Sequence, residues 1–248
     1  MFNADKYDET TGHYAGNLDL SDYTHPLPVG LASVGGYLYL SGYSHPLPAG
    51  LASVGGNLYL RGYSHPLPVG LASVGGNLYL RGYTHPLPAG LASVGGNLYL
   101  RDYTHPLPAG LASVGGDLYL SGYTHPLPAG LASVGGDLDL SGYSLPLPAG
   151  LAGDIAIPII PEIDAQILAA IETGGKLEMN NWHTCETTHC RAGWAIHLAG
   201  ENGRLLEMRV GSAAAGALIY QASRGSYPDF YALNDVAMAD LRQCAGKA

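Results

Sequence analysis

Lysine is almost missing from this chain: none stands between Lys6 and Lys176. Charged residues of all kinds make up 12% of the 248 residues, well below the roughly 25% usual for soluble proteins. With a net charge of −9, the sequence lacks the basic footprint of a nucleic-acid binder or of a protein held on an acidic membrane. Cysteine is confined to Cys185, Cys190 and Cys244, and this odd count argues against a disulfide framework. No apolar run approaches the roughly 18 residues that span a bilayer. The opening MFNADKYDET has no apolar signal-peptide stretch. The expectation is a soluble protein of a reducing cytoplasm, with specialised export left open. Phenylalanine and tryptophan occur twice each, so the aromatic surface has to come from the 18 tyrosines.

What the chain has in quantity is a repeat. A twenty-residue unit, LPAGLASVGGNLYLRGYTHP and close variants, runs in six full copies from Leu27 to Pro146. A partial copy precedes it (Gly16 to Pro26) and a stub follows (Leu147 to Leu151). A fixed period of this length marks a solenoid, in which each unit buries its apolar side only against its neighbours. Such an array presents one long surface with few pockets, which favours binding over catalysis.

Within one unit, Asn57-Leu58-Tyr59-Leu60-Arg61 alternates polar and apolar, the pattern of a strand with its leucines inward. Gly55-Gly56 reads as a flexible turn into that strand. His65-Pro66-Leu67-Pro68 reads as extended backbone, and Leu67, Leu71 and Val74 complete the inward set. On these residues the unit resembles the short bacterial type of leucine-rich repeat, which carries a Leu-Pro pair, over residues 16–151. The resemblance implies a parallel β-solenoid, and with the helical pattern of the residues that follow it the chain is expected to be α+β. Two departures stand out. The family's asparagine, three residues after the last strand leucine, is here a tyrosine (Tyr63, Tyr83, Tyr103), and one extra residue precedes the strand at the Gly-Gly pair. The family's asparagine hydrogen-bond ladder is therefore in doubt, and a generic parallel β-solenoid is the alternative.

Stacking turns every repeated position into a row with a step of about 4.8 Å. One outward row is Tyr39, Tyr59, Tyr79, Tyr99 and Tyr119, ending in Asp19 and Asp139. Beside it, Arg61, Arg81 and Arg101 lie between Ser41 and Ser121. Tyrosine and arginine are enriched at binding hot spots, and both suit stacking on sugars or cation–π contact. The expected partner is a protein or a glycan, with no nucleic acid and no membrane. The competing reading is a tyrosine ladder that merely stiffens the sheet. A second tyrosine row, from Tyr23 to Tyr143, is expected to be half-buried in place of the missing asparagine. The histidine row, from His25 to His125, has neither carboxylate nor cysteine beside it and makes a poor metal array.

Residues 1–15 are the candidate N-terminal cap, 16–152 the solenoid and 153–248 a helical domain. Helices are expected from Pro161, from about Thr188 to Leu198, near Gly203 to Val210, near Ala213 to Ser223, and from Asn234 (a good N-cap) to Cys244. The segment Cys185, Thr187, Cys190, Ala192, Gly193, Trp194 fits C-x-T-x-x-C-x-A-G-W and resembles a small domain of phage and prophage proteins. That resemblance implies no activity. Three chemical readings stand side by side. His183, Cys185, His189 and Cys190 can be written as a zinc set, the one cofactor the sequence allows, although their spacing is irregular. Cys190 near a helix N-terminus can be an activated thiol, with His183 or His189 as base and Glu186 or Asp235 as orienter. Alternatively the cysteines are small core residues, Thr187 or Thr188 caps the helix, and Cys244 belongs to the core of the last helix. The preferred reading is a non-enzymatic recognition module. The others are an effector or enzyme with a reactive cysteine, and a structural spacer.

Overall fold

The computed structural model describes residues 2–101, 103–180, 183–185 and 187–246, with 183–185 seen through its backbone alone. The chain is α+β, a parallel β-solenoid followed by helices, and it divides into two compact units, Met1–Asp137 and Leu138–Ala248.

In the first unit each coil gives two strands, each of two residues. Ser53–Val54 pairs in parallel with Ser33–Val34 and Ser73–Val74. Leu58–Tyr59 pairs in the same way with Leu38–Tyr39 and Leu78–Tyr79. Every parallel pairing between coils joins residues twenty apart, so the period of the sequence is the register of the sheets. The sequence pattern pointed to only one strand per coil, because a two-residue segment is too short to show an alternation. Leu51, Val54, Leu58, Leu60 and Tyr63 form one coil's contribution to the core, and none is more than 1% exposed.

The Gly-Gly pair makes the bend into the strand that its composition suggested, and it also lets the coils approach closely. Neither Gly75 nor Gly76 has a left-handed φ, yet a Cβ on Gly75 would lie 2.3 Å from the Gly55 carbonyl oxygen. On Gly76 it would lie 2.7 Å from the Asn57 backbone nitrogen. Successive coils approach backbone to backbone at this corner, and any side chain would force them apart. Gly62, at φ +74°, is different: it makes the turn that ends the strand.

The second tyrosine row is buried from Tyr43 to Tyr143 and half-buried, as expected for the whole row, at Tyr23. The Tyr63 hydroxyl accepts from the Leu47 N–H (3.0 Å) and donates to the His45 carbonyl (3.4 Å). Tyr83, Tyr103 and Tyr123 accept from Leu67, Leu87 and Leu107 at 2.8–2.9 Å. These hydroxyls satisfy backbone groups that no strand reaches. The histidines tie neighbouring coils: His65 Nε2 donates to the Ser44 carbonyl (2.8 Å), and His85 Nε2 to that of Ser64 (2.7 Å). Their ring nitrogens serve as structural donors.

At the N-terminal end, the irregular segment expected from the sequence is a hairpin. Tyr7–Asp8 pairs antiparallel with His13–Tyr14, which joins Ser33–Val34 in parallel. The Phe2 ring packs on Tyr14 at 5.3 Å and on Tyr7 at 5.7 Å.

The second unit contains the last coil and the helices α1 (Ile163–Glu172), α2 (Arg191–Leu198), α3 (Gly200–Arg224, broken at Gly211, φ 78°) and α4 (Asn234–Cys244). Side chains of the helical part take the place of a further coil. Leu140 N–H, whose counterpart at Leu40 donates to the next strand's Tyr59 carbonyl, here donates to the Tyr231 hydroxyl. Leu147 N–H, whose counterparts go to buried tyrosines, goes to Gln221 Oε1 (2.8 Å), and Gln221 Nε2 donates back to the Leu147 carbonyl (3.0 Å). The Tyr227 hydroxyl takes the Leu145 carbonyl (2.8 Å), and Arg209 takes that of Leu151 (2.8 Å). The backbone edge that would invite another chain is thereby closed.

Two local expectations need correction. Thr188–His189 is a strand between Lys176–Leu177 and His183–Cys185, so α2 starts at Arg191. Its cap is the Cys190 sulfur, which accepts from the Gly193 N–H, not Thr187 or Thr188. Asn234 does not cap α4: its Oδ1 accepts from the Met179 N–H and its Nδ2 donates to Glu178, so it fastens α4 to a distant loop. Among the described residues no helix is long and apolar enough to cross a membrane.

Candidate binding face

Because side chains alternate along a strand, burying Leu58 turns Asn57 and Tyr59 outward, and Arg61 stands exposed in the turn that follows rather than on the strand expected from the sequence. Register then aligns each with its copies. Tyr39, Tyr59, Tyr79, Tyr99 and Tyr119 are half-exposed, and Arg61, Arg81 and Arg101 are exposed. The structure therefore brings together all eight residues picked out for binding.

Its geometry adds what the sequence lacked. Tyr59, Tyr79, Tyr99 and Tyr119 stack ring on ring at 4.6–4.7 Å, with planes within 6–7°. Tyr39 is tilted at 50° to Tyr59 and stands at the end of the stack. The inner rings cover one another's faces, so the stripe offers ring edges and hydroxyls. Beside them on the same face runs an amide ladder. Asn57 Oδ1 accepts from the Asn77 N–H (2.8 Å), Asn77 Oδ1 from that of Asn97 (2.7 Å), and Asn97 Oδ1 from that of Asp117 (2.9 Å). The same amides donate from Nδ2 to the tyrosine hydroxyls: Asn57 to Tyr59, Asn77 to Tyr79 and Asn97 to Tyr99, at 2.9–3.1 Å. At Tyr119 the sense reverses, and its hydroxyl donates to Asp117 (2.9 Å).

In the second unit, Cys190 is buried, and burial pushes its thiol up to about 11, more than the hydrogen bond from Gly193 pulls it down. At neutral pH it is a protonated core thiol, the reverse of an activated nucleophile. Cys244 is exposed, not part of a core. The His189 ring packs against Trp194 (4.7 Å) and His197 (5.1 Å). The side chains of His183 and Cys185, and Glu186 altogether, lie outside the described residues. Among those described, no three metal-ligating side chains come together. Asp235 is at the start of α4, where it bonds the Val236 N–H.

The sequence reading missed a buried ionic centre. Arg191, 1% exposed, donates to Asp164 (2.7 Å), to the Tyr220 hydroxyl (3.0 Å) and to Asp240, while Arg224 bonds the other oxygen of Asp164. The Tyr220 hydroxyl also donates to Asp164 (2.9 Å), and both guanidinium groups lie over the Tyr220 ring at 5.3–5.5 Å. A signal was available: Asp164 stands on the same helical stripe as Ile167, Leu168 and Ile171, where an unpaired charge would be costly. A pocket of about 520 Å³ lies beside this centre, lined by Glu162, Asp164, Ser223, Arg224 and Cys244. Its buried charges already bond one another, so the centre reads as the bolt that holds four helices together.

No family model matches the chain, and neither a curated protein nor a solved structure matches it.

Proposed function

We propose that the protein is a non-enzymatic recognition module whose tyrosine and arginine strand face takes a partner. The observation that carries this reading is the run of exposed Arg61, Arg81 and Arg101 beside half-exposed tyrosines on adjacent parallel strands. Rigid, pre-aligned aromatic and guanidinium groups lose little freedom on binding. The ring-on-ring stacking favours a protein over a glycan, since a sugar packs on an open ring face. The same stacking is what a purely structural spacer would have, and that is the second reading. We also assign the coil to a variant of the short Leu-Pro leucine-rich repeat, with the buried Tyr63 hydroxyl holding the backbone where the family has asparagine. The likeness of the Cys185–Trp194 segment to a phage and prophage domain bears on origin alone.

Two variants separate module from spacer. Tyr59→Ala with Tyr79→Ala should abolish partner capture while the circular dichroism spectrum stays unchanged. Removing residues 77–96 deletes one central coil in register and should do the same, whereas a spacer would lose function only in proportion to length. Capture that survives both changes would make the face scaffolding.

A further inference from the structure

Near-identical copies make the few varying positions informative. In the three central coils the strand reads Asn-Leu-Tyr-Leu-Arg, while on either side arginine becomes Ser41 or Ser121 and asparagine becomes Tyr37 or Asp117. Between Asp22 and Asp102 the three arginines are the only residues of fixed charge. Each stands in the turn that follows its strand, and the strands they follow are about 4.8 Å apart. Three like charges at that spacing repel, and no carboxylate among the described residues pairs with them. Beside them the hydroxyls of Tyr59, Tyr79 and Tyr99 each receive an amide N–H, which occupies a lone pair and leaves the phenolic proton outside that bond. The strip therefore presents donors. It ends where Tyr119 spends its proton on Asp117, and Asp19, Asp137 and Asp139 stand further out.

We infer that this three-coil strip binds a short acidic segment of a protein, with two or three Asp or Glu carboxylates on the six donor side chains. This rests on the reading of the face as a recognition surface. Guanidinium and phenol donors both match carboxylate acceptors, and charge-assisted bonds of this kind are the strong ones. The strip is about 9.6 Å long over its two strand intervals, so two carboxylates on alternate residues of an extended chain, about 6.7 Å apart, fall within it, and the long arginine side chains can reach a third. Single-stranded nucleic acid binds by base stacking on open aromatic faces, and here the tyrosines cover each other. A long polyanion would also meet the flanking aspartates.

The test is fluorescence anisotropy on the full-length chain, with a labelled peptide carrying glutamate at three alternate positions. Its glutamine counterpart and a sulfated oligosaccharide are the other probes. The variant is Arg61→Ser, Arg81→Ser and Arg101→Ser together, since serine already occupies this position in neighbouring coils of the same fold. The acidic peptide should bind saturably, weaken as salt rises, and lose about 10- to 100-fold in affinity in the triple variant at unchanged Tm. The glutamine peptide should not bind. Equal binding of the acidic peptide to the triple variant would overturn the inference. So would arginine-dependent binding of the sulfated oligosaccharide alone, or no peptide binding at all. If the peptide fails while Tyr59→Ala with Tyr79→Ala still abolishes partner capture, the acidic ligand is wrong and the recognition face stands.

Discussion

Tyr83→Phe removes one oxygen from the solenoid core. That oxygen accepts the Leu67 N–H at 2.9 Å, and both residues are buried, Tyr83 at 1% and Leu67 at 6% exposure. The phenylalanine ring keeps the packing, so the loss is that of one buried backbone donor left without its acceptor, about 1–3 kcal/mol. For a chain of this size, 2 kcal/mol corresponds to a fall in Tm of about 4–8 °C. The control is Tyr79→Phe in the same coil. Its hydroxyl takes the Asn77 amide and neighbours that of Tyr59 on a half-exposed face, with no backbone group among the described residues depending on it, so the change should stay within about 0.5 kcal/mol. Urea unfolding followed by far-ultraviolet circular dichroism, with equal m-values required, reads both. Equal midpoints for the two variants would refute the claim that buried hydroxyls replace a backbone ladder.

Burial holds Tyr63 and Tyr103 neutral up to about pH 12, against about 10 in the unfolded chain. The unfolded chain therefore releases protons first. This contribution to stability is complete below pH 10 and is lost as pH rises towards 12, so the urea midpoint should be level from pH 8 to 9 and fall beyond 10. A folded chain whose tyrosines all ionise in one step near pH 10 would contradict that order. Asp164→Asn should destabilise by about 3–5 kcal/mol, because it leaves Arg191 buried with a weakened partner; a cost under 1 kcal/mol in urea would show that the ionic centre is dispensable. In the native chain a disulfide thiol reagent at pH 8 should react with Cys244 and spare Cys190, so Cys244→Ser should remove one fast thiol and Cys190→Ser none. Gly75→Ala should lower the urea midpoint more than Gly62→Ala, since its Cβ meets a fixed carbonyl at 2.3 Å while that of Gly62 meets nothing within 4 Å.

The sequence by itself determined the solenoid, its register and the outward rows. A period of twenty with invariant leucines leaves only one way to bury Leu58, Leu60, Leu71 and Val74 together, and that choice sends Tyr59 and Arg61 to the surface. Tertiary structure decided what those rows present. The ring stacking, the amide ladder from Asn57 to Asp117 and the reversal at Tyr119 depend on which neighbour stands one coil away at hydrogen-bond range. The corner role of Gly75 was hidden for the same reason, since a missing side chain looks alike in a hinge and in a close approach. The aperiodic region was least legible. Taken one at a time, Asp164, Arg191 and Asp240 are ordinary charges on helices. Only the folding of four helices over one another joined them into a buried centre, because pairs 27–60 residues apart leave no period to read.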